Sequence, residues 1–329
     1  MHFILQAKSV PNLLEQEAAL LASHPGWVPF FRRYFLSEAG QRSFFPEREG
    51  AVSYIIQPPL DGSTVASWLM LVPRDEVEEK GGMSRWKKGE WELIAHASLA
   101  MGKADSFLET DRILQQYEAS LNADGMTMEG NCVRTWFFCK DIDHHYSGLV
   151  KARREFFSGC GMLPHTHYIA STGIGGVPLA ENSIVSMDAW AMKGRFSQQY
   201  LYGRSHLSAT SDYGVTFERG VKIGTADAET VLISGTASID NKGKILHEGD
   251  VEAQTLRMLE NVEVLLKEGG CGWKEVKVIL VYFRCPEHAG KVEEMLGNRF
   301  GDIPYIILHA PVCRPGWLVE MECLACLKA

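Results

Sequence analysis

Two glutamates two residues apart, Glu320 and Glu322, stand in WLVEMECLA, a run that is otherwise apolar. Strand alternation puts both carboxyls on one face. Burial raises a carboxyl pKa, and a neighbouring carboxylate raises one of the two further. In that setting Glu320 can stay protonated near neutral pH and deliver a proton to a substrate. Arg134 raises the opposite question. It sits near the start of CVRTWFFC, which reads as a buried strand. A charge there must be paired or face a pocket. It is a candidate anchor for a ligand carboxylate, with a structural ion pair as the alternative. Arg153 and Arg154 share a helix with Lys151, so they belong to a solvated face or reach a ligand.

HTHYIASTGIGG, residues 165–176, has the residue types of a metal or phosphate loop. His165 and His167 fall on one strand face with no third ligand in view, so metal binding is not expected. The glycines do not lie between a strand and a helix, as a phosphate-cradling fingerprint requires. The stretch reads as a strand running into a connection.

The elements that must position these residues occur twice. Residues 109–141 align without a gap over residues 254–286, with eight of 33 positions identical, among them Arg112/Arg257, Gly125/Gly270 and Phe138/Phe283. A repeat of this length marks a duplicated structural unit. In the second copy Leu256, Leu259, Val262 and Leu266 recur at helical spacing. Gly269-Gly270 stops that helix, and VKVILVYF follows as a buried strand. VLISGTASID precedes the helix as another strand, matched by ELIAHASLAM. A second helix over 287–299, matched by 147–157, leads to two final strands joined by a turn.

The expected architecture is α/β, in α+β form: two tandem units, each a mixed sheet with two helices on one face, preceded by an N-terminal extension. The boundaries are 1–90 for the extension, 91–195 for the first unit, 196–224 for a linker and 225–329 for the second unit. The extension should hold a helix over 11–22 and a hairpin, AVSYIIQPPL to VASWLMLV, turned at Asp61-Gly62. Residues 74–90 read as a charged loop. A sheet with one bare apolar face needs a partner, within the chain or in other chains.

ISGTASID, the helix ending in EGG, VKVILVYF and PGWLVEMECLA resemble the Rid family of YjgF-type reactive-intermediate deaminases, with its chorismate-mutase-like units. The resemblance implies trimers with small-molecule pockets between neighbouring subunits, and it matches the family's last-strand acid to Glu320. The family's PxR arginine is replaced by Ile306 in the second copy and Thr166 in the first. The two-unit arrangement resembles more closely the chorismatases, Rid-related enzymes that hydrolyse chorismate or convert it to hydroxybenzoate. QPPLDGSTVASWLML, VRTW, TSDYGVTFERG and CRPGWLVEME carry that likeness. It implies Glu320 and Cys313 as catalytic residues and Arg134, Trp136, Tyr213 and Arg153 around the substrate. Cys160 and Val215-Thr216 stand where chorismatases have arginine-bearing motifs, and either Arg153 or Arg154 could replace the guanidinium missing at Cys160. The implied activity is chorismatase-like action on a small carboxylated enol ether, as a lyase or hydrolase. Enamine or imine deamination is the alternative within the family, and a non-catalytic binding or interaction module the alternative outside enzymes.

The composition narrows the partners. The 329 residues are 46% hydrophobic and 22% charged, with net charge −8. Nucleic-acid binders carry a basic footprint, so no nucleic-acid partner is expected. No apolar run reaches the roughly 18–20 residues of a membrane span, so no membrane partner is expected either. The N-terminus lacks the pattern of a secretory signal. The eight scattered cysteines, CLAC at 323–326 included, read as reduced core residues in the cytoplasm. No metal or other cofactor is expected. The remaining partners are a small carboxylated metabolite and further copies of the chain, as a trimer or as its intramolecular equivalent.

Overall fold

The apolar runs and helical repeats sort into three sheets. The computed structural model describes residues 1–102 and 104–328, without the side chains of Tyr213 and Lys328. The C-terminal unit has the fullest topology. It contains strands β12 (Ser197–Leu201), β13 (Gly220–Gly224), β14 (Ala228–Ala237), β15 (Val276–Phe283), β16 (Tyr305–His309) and β17 (Val319–Lys328), with helices α5 (Val251–Glu268) and α6 (Ala289–Phe300). The sheet order is β12-β13-β14-β17-β15-β16. The middle unit repeats it with β5 (Val77–Lys80), β6 (Met83–Lys88), β7 (Trp91–Ala100), β8 (Cys132–Cys139), β9 (Ala170–Gly175) and β11 (Val185–Gly194), in the order β5-β6-β7-β11-β8-β9. Its helices are α2 (Ser106–Ala123) and α4 (Ile142–Gly159), with a one-turn α3 (Met128–Asn131) before β8.

The N-terminal extension is a third, reduced copy. It runs β1 (His2–Ala7), α1 (Val10–Ser23), β2 (Trp27–Leu36), β3 (Ala51–Ile56), β4 (Val65–Pro73), in the order β1-β4-β2-β3, with the short β10 (Val177–Pro178) of the middle unit added to its edge. This is the connectivity of β14-α5-β15-β16-β17 without the leading hairpin and the second helix. The expected hairpin at Asp61-Gly62 does not form, because β2 lies between β3 and β4, parallel to one and antiparallel to the other. The final strands of the C-terminal unit likewise flank β15 instead of pairing. A strand reached over a helix returns parallel to its predecessor, which leaves the next strand to close the other side.

Two expected connections are strands. The charged stretch after Arg74 folds as the β5–β6 hairpin, and the stretch between the repeats supplies β12 and β13. Of these, β5 and β12 are the edge strands and β6 and β13 lie one strand in; all four are short and interleaved with polar residues, so neither stretch carries an apolar run. The repeat also shifts. Helices α2 and α5 match the ungapped alignment, but β8 begins one residue later relative to β15, because the first copy has a longer turn through α3.

The helices cover the outer faces and the three inner faces pack on one another. Phe31 and Trp68 from the first sheet, Trp136 and Trp190 from the second, and Leu232 and Leu280 from the third share one core. Buried ion pairs cross it: Arg33 to Asp188 at 2.8 Å, and Arg134 to Glu322. The apolar faces that an oligomer would bury are thus covered within the chain. The glycines of HTHYIASTGIGG serve this assembly. A Cβ on Gly175 would lie 2.7 Å from Pro311 of the third unit, and one on Gly176 would lie 2.8 Å from Ile55 of the first. His165 and His167 precede β9 in a turn, not on the strand, and His167 stacks on Tyr200 at 4.6 Å.

Candidate functional site

Strand β17 carries Glu320 opposite Tyr282 of β15 and Ala237 of β14. Both glutamates face inward, and their surroundings differ. Glu322 accepts hydrogen bonds from Arg134, from Trp136 Nε1 at 2.9 Å, from Tyr282 at 2.7 Å and from Thr172. Arg134 also donates to Ser234 at 3.2 Å and to Thr172 at 2.6 Å, and its guanidinium lies 4.7 Å from the Trp136 ring. Arg134 and Trp136 are therefore brought together, but around an internal carboxylate. Neither lines the cavity that Glu320 faces.

That cavity lies between the middle and C-terminal units. Tyr146 and Arg153 of α4 and Ser171 to Gly173 of β9 form one wall. Phe217, Arg219, Gly235, Cys313, Arg314, Trp317 and Glu320 form the other. The inner volume is about 40 Å³. It shares Tyr146, Val215, Cys313 and Arg314 with an outer cleft of about 390 Å³, where Lys151 and Arg154 stand. Glu320 is 5% exposed. Burial pushes its pKa up to about 8, with the Glu322 carboxylate adding to the rise and Arg219 and Arg134 opposing it. At neutral pH it is mainly a neutral acid, able to donate. Gly235 makes room for it, since a Cβ there would lie 2.1 Å from Glu320 Oε1.

Arg153 is the second component. It is 1% exposed, between the rings of Phe137 and Phe217, each 5.8 Å from its guanidinium carbon. Nε donates to Thr216 at 3.3 Å and Nη1 to Ser171 at 3.4 Å, while Nη2 has no partner. Among the described residues no carboxylate pairs with it. A buried guanidinium served only by hydroxyls leaves most of its charge uncompensated, which favours an anion in the adjoining space. Arg219 and Arg314 add two more guanidiniums. Arg219 donates to Ser208 O at 3.3 Å, and Arg314 lies 4.9 Å over the Trp317 ring.

Cys313 lines the same cavity. Burial and the Glu320 charge push its thiol up to about 12, so it stays a thiol and not a nucleophilic thiolate. Tyr213 closes a short turn over Thr210–Tyr213, and its side chain lies outside the described residues. Three of the motif departures stand away from the cavity. Ile306 is fully buried in β16, Thr166 closes a turn with Leu163, and the Cys160 thiol bonds Glu118 at 3.2 Å. Thr216 holds Arg153. No pattern along the chain signals Gly235, Tyr146 or Thr172, and Arg219 is visible only within TSDYGVTFERG.

The duplicate unit shows what sets this cleft apart. β17 faces a bulge in β14 at Ser234-Gly235, and β11 faces one in β7 at Ala97-Ser98. By that register Asp188 stands for Glu322 and Ser186 for Glu320. Asp188 repeats the ion-pair role, now with Arg33. Only the C-terminal unit places a carboxyl at the second position.

A family model described as Endoribonuclease L-PSP matches residues 216–327. A RutC family protein of Pyrococcus abyssi is 26% identical over 111 residues, 33% of this chain and 84% of that protein. One of Pyrococcus horikoshii is 28% identical over 97 residues, 29% of this chain and 77% of that protein. The likeness to the Rid (L-PSP) family rests on these matches. The match lies on the third unit. Over the whole chain the fold is that of a solved chorismatase: TM-score 0.73, 18% identity, covering 99% of this chain and 98% of that one. The fold shared with that structure is a multi-unit one, with the units covalently joined. Among the described residues no helix is long and apolar enough to cross a membrane.

Proposed function

We propose that this chain is a chorismatase-like enzyme of the Rid type acting on a small carboxylated enol ether, with Glu320 as proton donor and Arg153 as the carboxylate anchor. The observation that carries the reading is the pairing, in one inner cavity, of a carboxyl that burial holds protonated with a buried guanidinium that lacks an anionic partner. Binding a dicarboxylate away from water calls for charged donors, and arginines are suited to it. Arg153, Arg219 and Arg314 provide three on the cavity wall. The anchoring role expected of Arg134 passes to them, because Arg134 is consumed by Glu322.

In this reading Glu320 protonates the methylene carbon of an enolpyruvyl group. The ether carbon becomes an oxocarbenium ion, water adds to it, and the hemiketal collapses to pyruvate and an alcohol. The inner cavity receives the reacting end and the outer cleft the rest of the molecule. Cys313 and Tyr146 act as cavity wall. Deamination of imines is disfavoured, since the positions of the family's arginine hold the buried Ile306 and the turn-forming Thr166.

The test is incubation with chorismate, following pyruvate and hydroxybenzoate by chromatography, for the wild type and Glu320→Gln. Turnover that drops by about 10²–10⁴ in Glu320→Gln supports the assignment. Turnover that survives the change ends the proton-donor role. Saturable chorismate binding without turnover leaves a binding module.

A further inference from the structure

One side chain outside both cavities joins the two walls of the Glu320 site. Arg284 follows β15 and lines neither the inner cavity nor the outer cleft. Its Nη1 and Nη2 donate to the two oxygens of Asp143, at 2.8 and 3.0 Å. Asp143 lies in the first turn of α4, one turn before Tyr146 and on the helix that carries Arg153. On the other side Arg284 Nε donates to Trp317 O at 3.3 Å, and Nη2 also donates to Val312 O. Val312 and Trp317 bracket the segment that brings Cys313 and Arg314 to the opposite wall. A planar fork of five donors reaches three segments at once, which a lysine ammonium does not match. The guanidinium also holds the Asp143 carboxyl below its ordinary pKa, so the pair stays charged at neutral pH.

The other two units show that the fold does not need this fork. Three strand-end pairs match: Leu36 with Val65, Cys139 with Val185, and Phe283 with Val319. The residue after the first member of each pair is Ser37, Lys140 or Arg284. All three make the same backbone bond: Ser37 N to Thr64 O at 3.2 Å, Lys140 N to Ile184 O at 2.9 Å, and Arg284 N to Leu318 O at 3.0 Å. Lys140 is exposed and has no ion-pair partner among the described residues. The residue after the second member is Ala66, Ser186 or Glu320. The bridging arginine thus accompanies the one buried acid of the three matching positions.

We propose that Arg284 is a positioning residue for the reaction assigned to Glu320: its fork sets the distance between α4 and segment 313–316, and so the fit of the substrate between Arg153 and Arg314. The inference rests on the proposed function. Glu320 stands on β17, beyond the clamped segment, so loss of the clamp weakens substrate binding and spares proton transfer.

Steady-state chorismate kinetics of the full chain test it, with Arg284→Ala and the milder Asp143→Asn. Each should raise KM at least about tenfold and leave kcat within about threefold. A damaged fold removes active molecules, which lowers kcat and leaves KM unchanged, so that pattern overturns the proposal. The double variant should be no worse than Arg284→Ala, since both changes break one contact. Additive losses overturn the clamp. Lys140→Ala should leave KM unchanged, and an equal rise there overturns the assignment to this cleft. Circular dichroism checks that the variants fold. Alkylation of Cys313 by N-ethylmaleimide, mapped by mass spectrometry, reads the clamp without the reaction. It should run at least about tenfold faster in both single variants. If the wild type does not turn over chorismate, the proposed function fails and this rate decides the clamp, which an unchanged rate overturns.

Discussion

Glu320 and Glu322 are the same residue type on the same face of the same strand, and the fold treats them as opposites. Glu322 is surrounded by donors from three strands, and the Arg134 charge offsets its own. Glu320 has Gly235 beneath it and a cavity in front, and burial holds its proton. A carboxyl that is fully solvated by protein groups is a structural element. A carboxyl that is buried without them is a store of reactivity. The first makes the second stronger, because the Glu322 charge raises the Glu320 pKa.

Breaking the satisfied member should give the largest effect on stability. Arg134→Met leaves the Glu322 charge buried without its cation, at a cost of about 3–5 kcal/mol in urea denaturation. A loss under about 1 kcal/mol would mean that the two carboxyls are not different in kind.

The unsatisfied member should show itself in pH dependence. The folded pKa of about 8 exceeds the ordinary 4.5, so the native state binds the proton more tightly than the unfolded one. The resulting stability is fully present below about pH 4.5 and is lost as pH rises through about 8. Denaturation at pH 5, 7 and 9 should show a decline of a few kcal/mol, since each pH unit between those two values is worth about 1.4 kcal/mol. Glu320→Gln should flatten that decline and give the more stable protein at pH 9. A wild-type slope unchanged by the substitution would assign the titration elsewhere.

Gly235→Ala sharpens the comparison from the backbone side. Its methyl would displace the Glu320 carboxyl or the bulge, costing about 1–3 kcal/mol and lowering chorismate turnover at least tenfold. The smallest effect belongs to the duplicate cleft. Ser186→Ala, at the position matching Glu320, should change stability by no more than about 0.5 kcal/mol and leave turnover alone. A larger effect on turnover would place a second active cleft between the first two units.

Much of this was legible along the chain. The helix, glycine stop and buried strand of each repeat rest on local periodicity and capping, which tertiary context did not override. The N-terminal unit was not legible, because residues 1–73 share the connectivity of the other two without repeating their sequence, and its strand order depends on partners far along the chain. The short strands β5, β6, β12 and β13 carry too few apolar residues to be seen. Of the candidate residues, Arg153 and Glu320 share the cavity and Arg134 and Trp136 do not. Strand position alone could not separate Arg134 as an anchor from Arg134 as an ion pair, since both put a guanidinium on the inward face.

Residue order dictates that two carboxyls share one face of an apolar strand and that several arginines are buried. Such an environment has to shift pKa values and demand counter-charges. Which carboxyl receives the donors is settled by the assembly of the units. Those donors come from Arg134, Trp136 and Thr172 in the middle unit and Tyr282 in the C-terminal one, and the packing of whole sheets against each other sets their positions. A buried charge is neutralised or kept reactive by the few ångströms around it, and those are filled from distant parts of the chain.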